Sequence, residues 1–170
     1  GVAGLLYQVV WTRYLALFLG HTSYAVVAVL AAFMGGLALG NAWLGSVADR
    51  VRRPLMFYAG LELGIGVFAL LFPAYYDLVH GWFIALVRAM DPGGVLRLSI
   101  QFGFAGLTIL LPTVLMGATL PAMDRAVGAV SGEGRAVAGL YALNTAGAVL
   151  GVIGAVAWVM PVLGFRGTLW

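Results

Sequence analysis

The sequence has no cysteine and no lysine. Without cysteine, disulfides and thiolate-ligated metal centres are excluded, and the redox compartment is not written in the chain. Without lysine, all side-chain positive charge rests on nine arginines, set against six acidic residues. Charged residues make up 9% of the chain, where a soluble domain carries about a quarter. So few arginines, scattered between apolar runs, do not form a nucleic-acid patch, and no nucleic-acid partner is expected. Catalytic and metal motifs are also missing: there is no His-x-x-x-His, no nucleophile elbow and no Walker loop. No catalytic residue, metal or cofactor is therefore assigned to this chain.

What remains is apolar. The 170 residues are 63% hydrophobic, with a mean hydropathy of +1.04. A soluble fold of this length could not hide so much apolar surface. The composition predicts an all-α integral membrane protein, because only helices and closed barrels satisfy their backbone within lipid. The 25 glycines suit close helix packing in a bilayer.

A spanning helix needs about 20 mostly apolar residues. Such runs cover 1–19, 22–47, 54–76, 97–120 and 136–161. Residues 77–95 are more mixed. Leu78, Trp82, Ala85, Leu86 and Ala89 recur at helical spacing, with Asp77, His80 and Arg88 off that line. This pattern predicts a short amphipathic helix lying in the interface. Asp91–Gly94 stops it, and 121–136 reads as a loop. Phe165–Trp170 reads as the start of a sixth helix. The expectation is one transmembrane domain over 1–170, with five spans, one interfacial helix and the beginning of a sixth.

Alternating spans put Arg50, Arg52, Arg53, Arg125 and Arg135 on one side, and Arg88, Arg97 and Arg166 on the other. The positive-inside rule then makes the 48–54 loop cytoplasmic.

Polar residues within the spans are the default functional candidates. Taken with a helical rise of about 1.5 Å per residue, Gln8, Glu62 and Asn144 fall at a similar depth, with Arg13 about 7 Å further out. They form a predicted polar layer. It has two readings. Either Glu62 holds a cation, a polyamine or a proton, in a pocket, or Arg13 pairs with Glu62 while Gln8 and Asn144 bond neighbouring helices.

Two stripes of small residues, Ala32–Gly36–Gly40 and Gly147–Gly151–Ala155, are spaced by four and predict close helix contacts, preferably within the chain's own bundle. Pro112 is expected to kink its helix, with Thr108 or Thr113 meeting freed carbonyls. His21 and His80 read as interfacial hydrogen bonders. Tyr7, Trp11, Tyr14, Tyr75, Tyr76, Trp82 and Trp170 read mostly as aromatic belts.

The loop spacing Gly45, Asp49, Arg50, Arg53 gives G-x-x-x-D-R-x-x-R, which resembles the loop between helices 2 and 3 of major facilitator (MFS) transporters. Arg52 stands where that pattern has glycine. Longer blocks, Gly4–Arg50, Leu111–Pro121 and Gly139–Ala155, resemble the membrane part of fused bacterial spermidine-synthase proteins. There a facilitator-like helical region precedes an aminopropyltransferase domain. The resemblance implies a half-MFS-like bundle in a bacterial inner membrane. It further implies a domain that anchors a cytoplasmic aminopropyltransferase and moves polyamine. The Gly-rich loop and acidic pair of the synthase have no counterpart here. The alternatives are an accessory subunit packed on other transmembrane subunits of a larger membrane complex, or a stand-alone transporter half. The expected partners are the lipid bilayer, other transmembrane helices and polyamine.

Overall fold

The computed structural model describes residues 1–19, 22–131, 134–159 and 161–164. The expected outer turn with His21, and the expected start of a sixth helix from Phe165, lie outside the described residues.

Among the described residues every regular element is helical. α1 is Val2–Leu19, α2 Thr22–Ala48, α3 Pro54–Met90, α4 Gly94–Ser131 and α5 Gly134–Gly154, followed by a π-helical turn at Ala155–Val159. Four helical stretches, Val26–Ala48, Pro54–Met90, Gly94–Gly128 and Ala138–Val159, are long and apolar enough to cross a membrane. Much of their apolar surface faces outward, including Leu63, Leu71, Leu143 and Leu150. In water such faces would be costly, whereas lipid accepts them. The chain has the build of an integral membrane protein.

Pro54 starts α3, where a missing N–H costs nothing. Asp91 ends it in the left-handed conformation, with φ 41° and ψ 54°. Between them α3 runs 37 residues without a break, through Pro73. At 1.5 Å per residue that is about 55 Å, well beyond a hydrocarbon core of about 30 Å. This corrects two expectations. The predicted interfacial helix is the second half of α3, and most of the predicted 121–136 loop is the continuation of α4 to Ser131. The buried stripe also differs. Phe72, Tyr76, Val79 and Phe83 face inward, while Leu78, Trp82, Ala85 and Ala89 are exposed. The outward line was legible as apolar, but in a chain this hydrophobic both faces carry apolar residues. Periodicity alone does not say which one meets protein.

α4 packs against all four other helices, most extensively against α2. Small residues set that contact. A β-carbon on Gly36 would overlap Thr113, one on Gly40 would overlap the Val114 carbonyl, and one on Gly117 would overlap the Leu37 carbonyl. Ala32 lies against Gly106, and Gly45 against Pro121. Residue numbers rise together along both helices, so α2 and α4 run parallel in one continuous register. The second stripe holds α5 to α1, with Gly147 and Gly151 packed on Val2 and Ala155 fully buried. Both stripes therefore serve the chain's own bundle.

α4 remains helical through Pro112 and Pro121. The buried Thr113 hydroxyl donates to the Ile109 and Leu110 carbonyls, and Thr108 donates to the Phe104 carbonyl. The π-helical turn lies just before Pro161, which lacks the N–H that a regular helix would supply to that turn.

An aromatic column forms the core. Phe72 is fully buried and touches the rings of Trp11, Tyr14, Phe68 and Tyr76. Tyr14 meets Tyr76 edge to face at 5.2 Å, and the Tyr76 hydroxyl donates to the Tyr14 carbonyl at 3.1 Å. The Tyr75 hydroxyl donates to the Leu107 carbonyl. His80 stacks on Tyr76. Trp11 and Tyr76 are thus core residues and Tyr14 is half-buried against them, not the belt residues expected. Trp82, 60% exposed, faces outward where a belt residue would.

Candidate functional site

Among the described residues the five helices line a cleft of about 170 Å³. Its walls come from every helix. Gly1, Ala3, Gly4 and Leu5 line it at the start of α1; Phe33 and Leu37 on α2; Glu62 and Ile65 on α3; Met116 and Thr119 on α4; and Asn144 and Ala148 on α5. Two members of the predicted polar layer, Glu62 and Asn144, therefore meet at one site.

Glu62 is eight residues past Pro54, so it sits about 12 Å along α3 from the end that carries the charged loop. It is exposed to the open side of the cleft, as is Asn144. Tyr58, one turn earlier, lies within hydrogen-bonding reach of the Glu62 carboxylate, and Tyr7 on α1 lies within its electrostatic range. The Thr119 hydroxyl is engaged with the Met116 carbonyl at 2.7 Å. The remaining wall is apolar. The site is a greasy cleft with one carboxylate and one carboxamide, flanked by phenols. Such a lining favours a cation that has an apolar stem. Among the described residues no three His, Cys, Asp or Glu side chains gather as a metal site.

Gln8 and Arg13 do not join this site. Trp11 and Tyr14 stack on Phe72 and Tyr76, so α1 and α3 run parallel and their relative height is fixed. Arg13 follows Trp11 by two residues, and Glu62 precedes Phe72 by ten. Along the helix axes they are about 18 Å apart, beyond the reach of an arginine side chain. The predicted Arg13–Glu62 pair is not formed. Gln8 is not among the cleft-lining residues, which on α1 end at Leu5, and its carbonyl accepts from Thr12. The depth estimate missed because it measured Gln8 from an outer edge at Gly20, and Glu62 and Asn144 from an inner edge at Pro54 and Ala136, as if every span crossed the same slab. The helices are in fact staggered, and the first turn of α1 lies beside the middle of α5, where Gly1 packs on Asn144.

The loop motif is placed at one end of the bundle. Gly45 is buried against Pro121, and Asp49, Arg50 and Arg53 are exposed. The parallel α2–α4 register, continued past Gly45 and Pro121, brings Asp49 level with Arg125. Sequence reading missed Met116 and Thr119 as wall residues, and Tyr58 as the phenol beside Glu62. Only the spacing of Tyr58, one turn before Glu62, carried a signal.

No protein-family model, curated protein or solved structure matches this chain.

Proposed function

We propose that the chain is a membrane-embedded helical domain whose Glu62 cleft takes up an organic amine. The observation that carries this reading is the convergence of Glu62 and Asn144 on one otherwise apolar cleft. A carboxylate at that depth is retained at a cost, and a bound cation offsets it. The sequence resemblance to the membrane part of spermidine-synthase proteins makes polyamine the first amine to test. On the same reading α1 is a fifth span, the bundle is a half-MFS-like unit in a bacterial inner membrane, and the 48–54 loop is cytoplasmic. The domain anchors an aminopropyltransferase on that side.

The test is thermal unfolding of the purified protein in detergent, with and without spermidine. A ligand at 100 times its Kd stabilises by about 2.7 kcal/mol. Stabilisation is expected in the native protein and not in Glu62→Gln. Equal stabilisation of both proteins removes Glu62 from the site. The anchoring role has a separate test, the intact denatured mass of the protein taken from its own membrane. A mass well above 17.8 kDa supports it, and a mass at that value rejects it.

One observation favours a second reading. Only 11% of the α5 span is buried, against 28% of the α2 and α4 spans, and Tyr141, Leu143, Leu150 and Trp158 face outward. An accessory subunit would use that side to pack on another transmembrane protein. Copurification with a larger membrane subunit, without any amine response, would select this reading.

A further inference from the structure

We infer that the end of the bundle formed by the 49–53 turn, the start of α3 and Arg125 is a binding site for the phosphate of an anionic phospholipid. Four observations converge there. Arg50, Arg52 and Arg53 occupy one turn and are all exposed. The α2–α4 register brings Arg125, also exposed, to the same level from a third helix. Among the described residues the acidic side chains at this end are Asp49 and Asp124, so the four guanidinium groups leave it net positive. The first turn of α3 holds no acidic residue, and its N-cap, Arg53, makes no side-chain capping bond. The unbonded N–H groups of Leu55 and Met56 and the positive end of the helix dipole therefore lie at the same end of the bundle as the arginines. Helix start and arginines together supply both the charge and the hydrogen-bond donors that a phosphate uses.

The apolar neighbours identify the source of the phosphate. Trp43 and Val47 on the last turns of α2, and Leu55 and Met56 on the first turn of α3, are exposed, at 68, 42, 63 and 63%. The Arg53 guanidinium folds back to the Met56 sulfur at 3.5 Å, joining the charged band to the apolar one. α2 and α3 both pack on α4, and Leu44, Ala48, Phe57 and Leu61 close the space beneath the turn, so the surface open to acyl chains is the exposed face of Trp43, Val47, Leu55 and Met56. Charge at the rim with apolar side chains beneath it matches a phospholipid, while a free phosphate would use only the upper half. Arginine clusters beside membrane spans attract anionic lipid at about 1 kcal/mol per charge, which is about fivefold in affinity for each arginine. This inference is independent of the Glu62 reading.

The full chain is reconstituted in bilayers of equal phosphatidylglycerol and phosphatidylcholine, extracted in mild detergent, and its retained lipid quantified by mass spectrometry. Phosphatidylglycerol is expected to be retained over phosphatidylcholine, less so as salt is raised. Arg53→Gln should lower that enrichment about fivefold, and Arg50→Gln, Arg52→Gln, Arg53→Gln and Arg125→Gln combined should bring it to parity. The opposite-end pair Arg88→Gln and Arg97→Gln should leave it unchanged. Equal retention of both lipids by the native protein, or enrichment that ignores salt, overturns the inference without any variant. So does loss of enrichment in the opposite-end pair. Displacement of the lipid by inorganic phosphate, with equal stabilisation by phosphate alone, would mean a free-anion site and would overturn the lipid assignment.

Discussion

Replacing Gly40 with alanine tests whether the α2–α4 seam is set by backbone contact. The new methyl would overlap the Val114 carbonyl and reach the Gly117 backbone. Neither obstacle is the end of a flexible side chain, so the helices must move apart. A radial gap of about 0.5–1 Å forfeits a quarter to a half of each dispersion contact, worth about 0.1–0.2 kcal/mol per atom pair. With some tens of atom pairs along the seam from Ala32 to Gly45, the loss is of order 1–3 kcal/mol, the usual range for overpacking. Gly35 is the internal control. It is exposed, adjacent to the stripe, and its added methyl meets nothing within 4 Å. Alanine there should be neutral or stabilising by up to about 1 kcal/mol, because glycine is the poorer helix former. The assay is reversible unfolding in mixed micelles with increasing denaturing detergent, followed by tryptophan fluorescence. If Gly40→Ala proves as stable as Gly35→Ala, the close parallel seam is wrong.

Other perturbations read different parts of the fold. Phe72→Ala, in the middle of the aromatic column, should cost about 3–5 kcal/mol, while Leu63→Ala on the outward face of the same helix should cost far less; equal losses would deny that the column is the core. Asp91→Gly should stabilise by a few tenths to about 1 kcal/mol because the position is left-handed, and Asp91→Val should destabilise; the reverse order in the same unfolding assay would refute the αL cap. Tyr76→Phe removes the bond to the Tyr14 carbonyl and should cost about 0.5–1.5 kcal/mol, to be checked by the same titration. Cysteines placed at Arg13 and Glu62, spin-labelled and measured by electron paramagnetic resonance, should report a separation of order 20 Å; a distance near van der Waals contact would restore the ion pair and undo the α1–α3 register.

The membrane character, the helical class and most element starts were determined by the sequence alone. Composition decides solvent, and solvent decides that the backbone must close its hydrogen bonds within helices. Pro54 marks the start of α3 and Asp91–Gly94 its end because backbone chemistry acts locally. The glycine stripes were legible for a related reason, since a residue without a side chain shows where another backbone can approach. Their partners were not legible. Which helix fills the hollow at Gly36 and Gly40, and in which direction it runs, depends on residues some 75 positions away, near Thr113 and Gly117. The same holds for the candidate site. Glu62 and Asn144 stood out as polar groups in apolar runs, but only the stagger of the helices decided that they share a cleft and that Arg13 does not. Burial of Trp11 and Tyr76, with Tyr14 packed against them, was likewise a tertiary decision. In lipid an aromatic ring is accepted on the outside as readily as the inside, so hydrophobicity does not say which face is the core, and only the complementary surface of a neighbouring helix does.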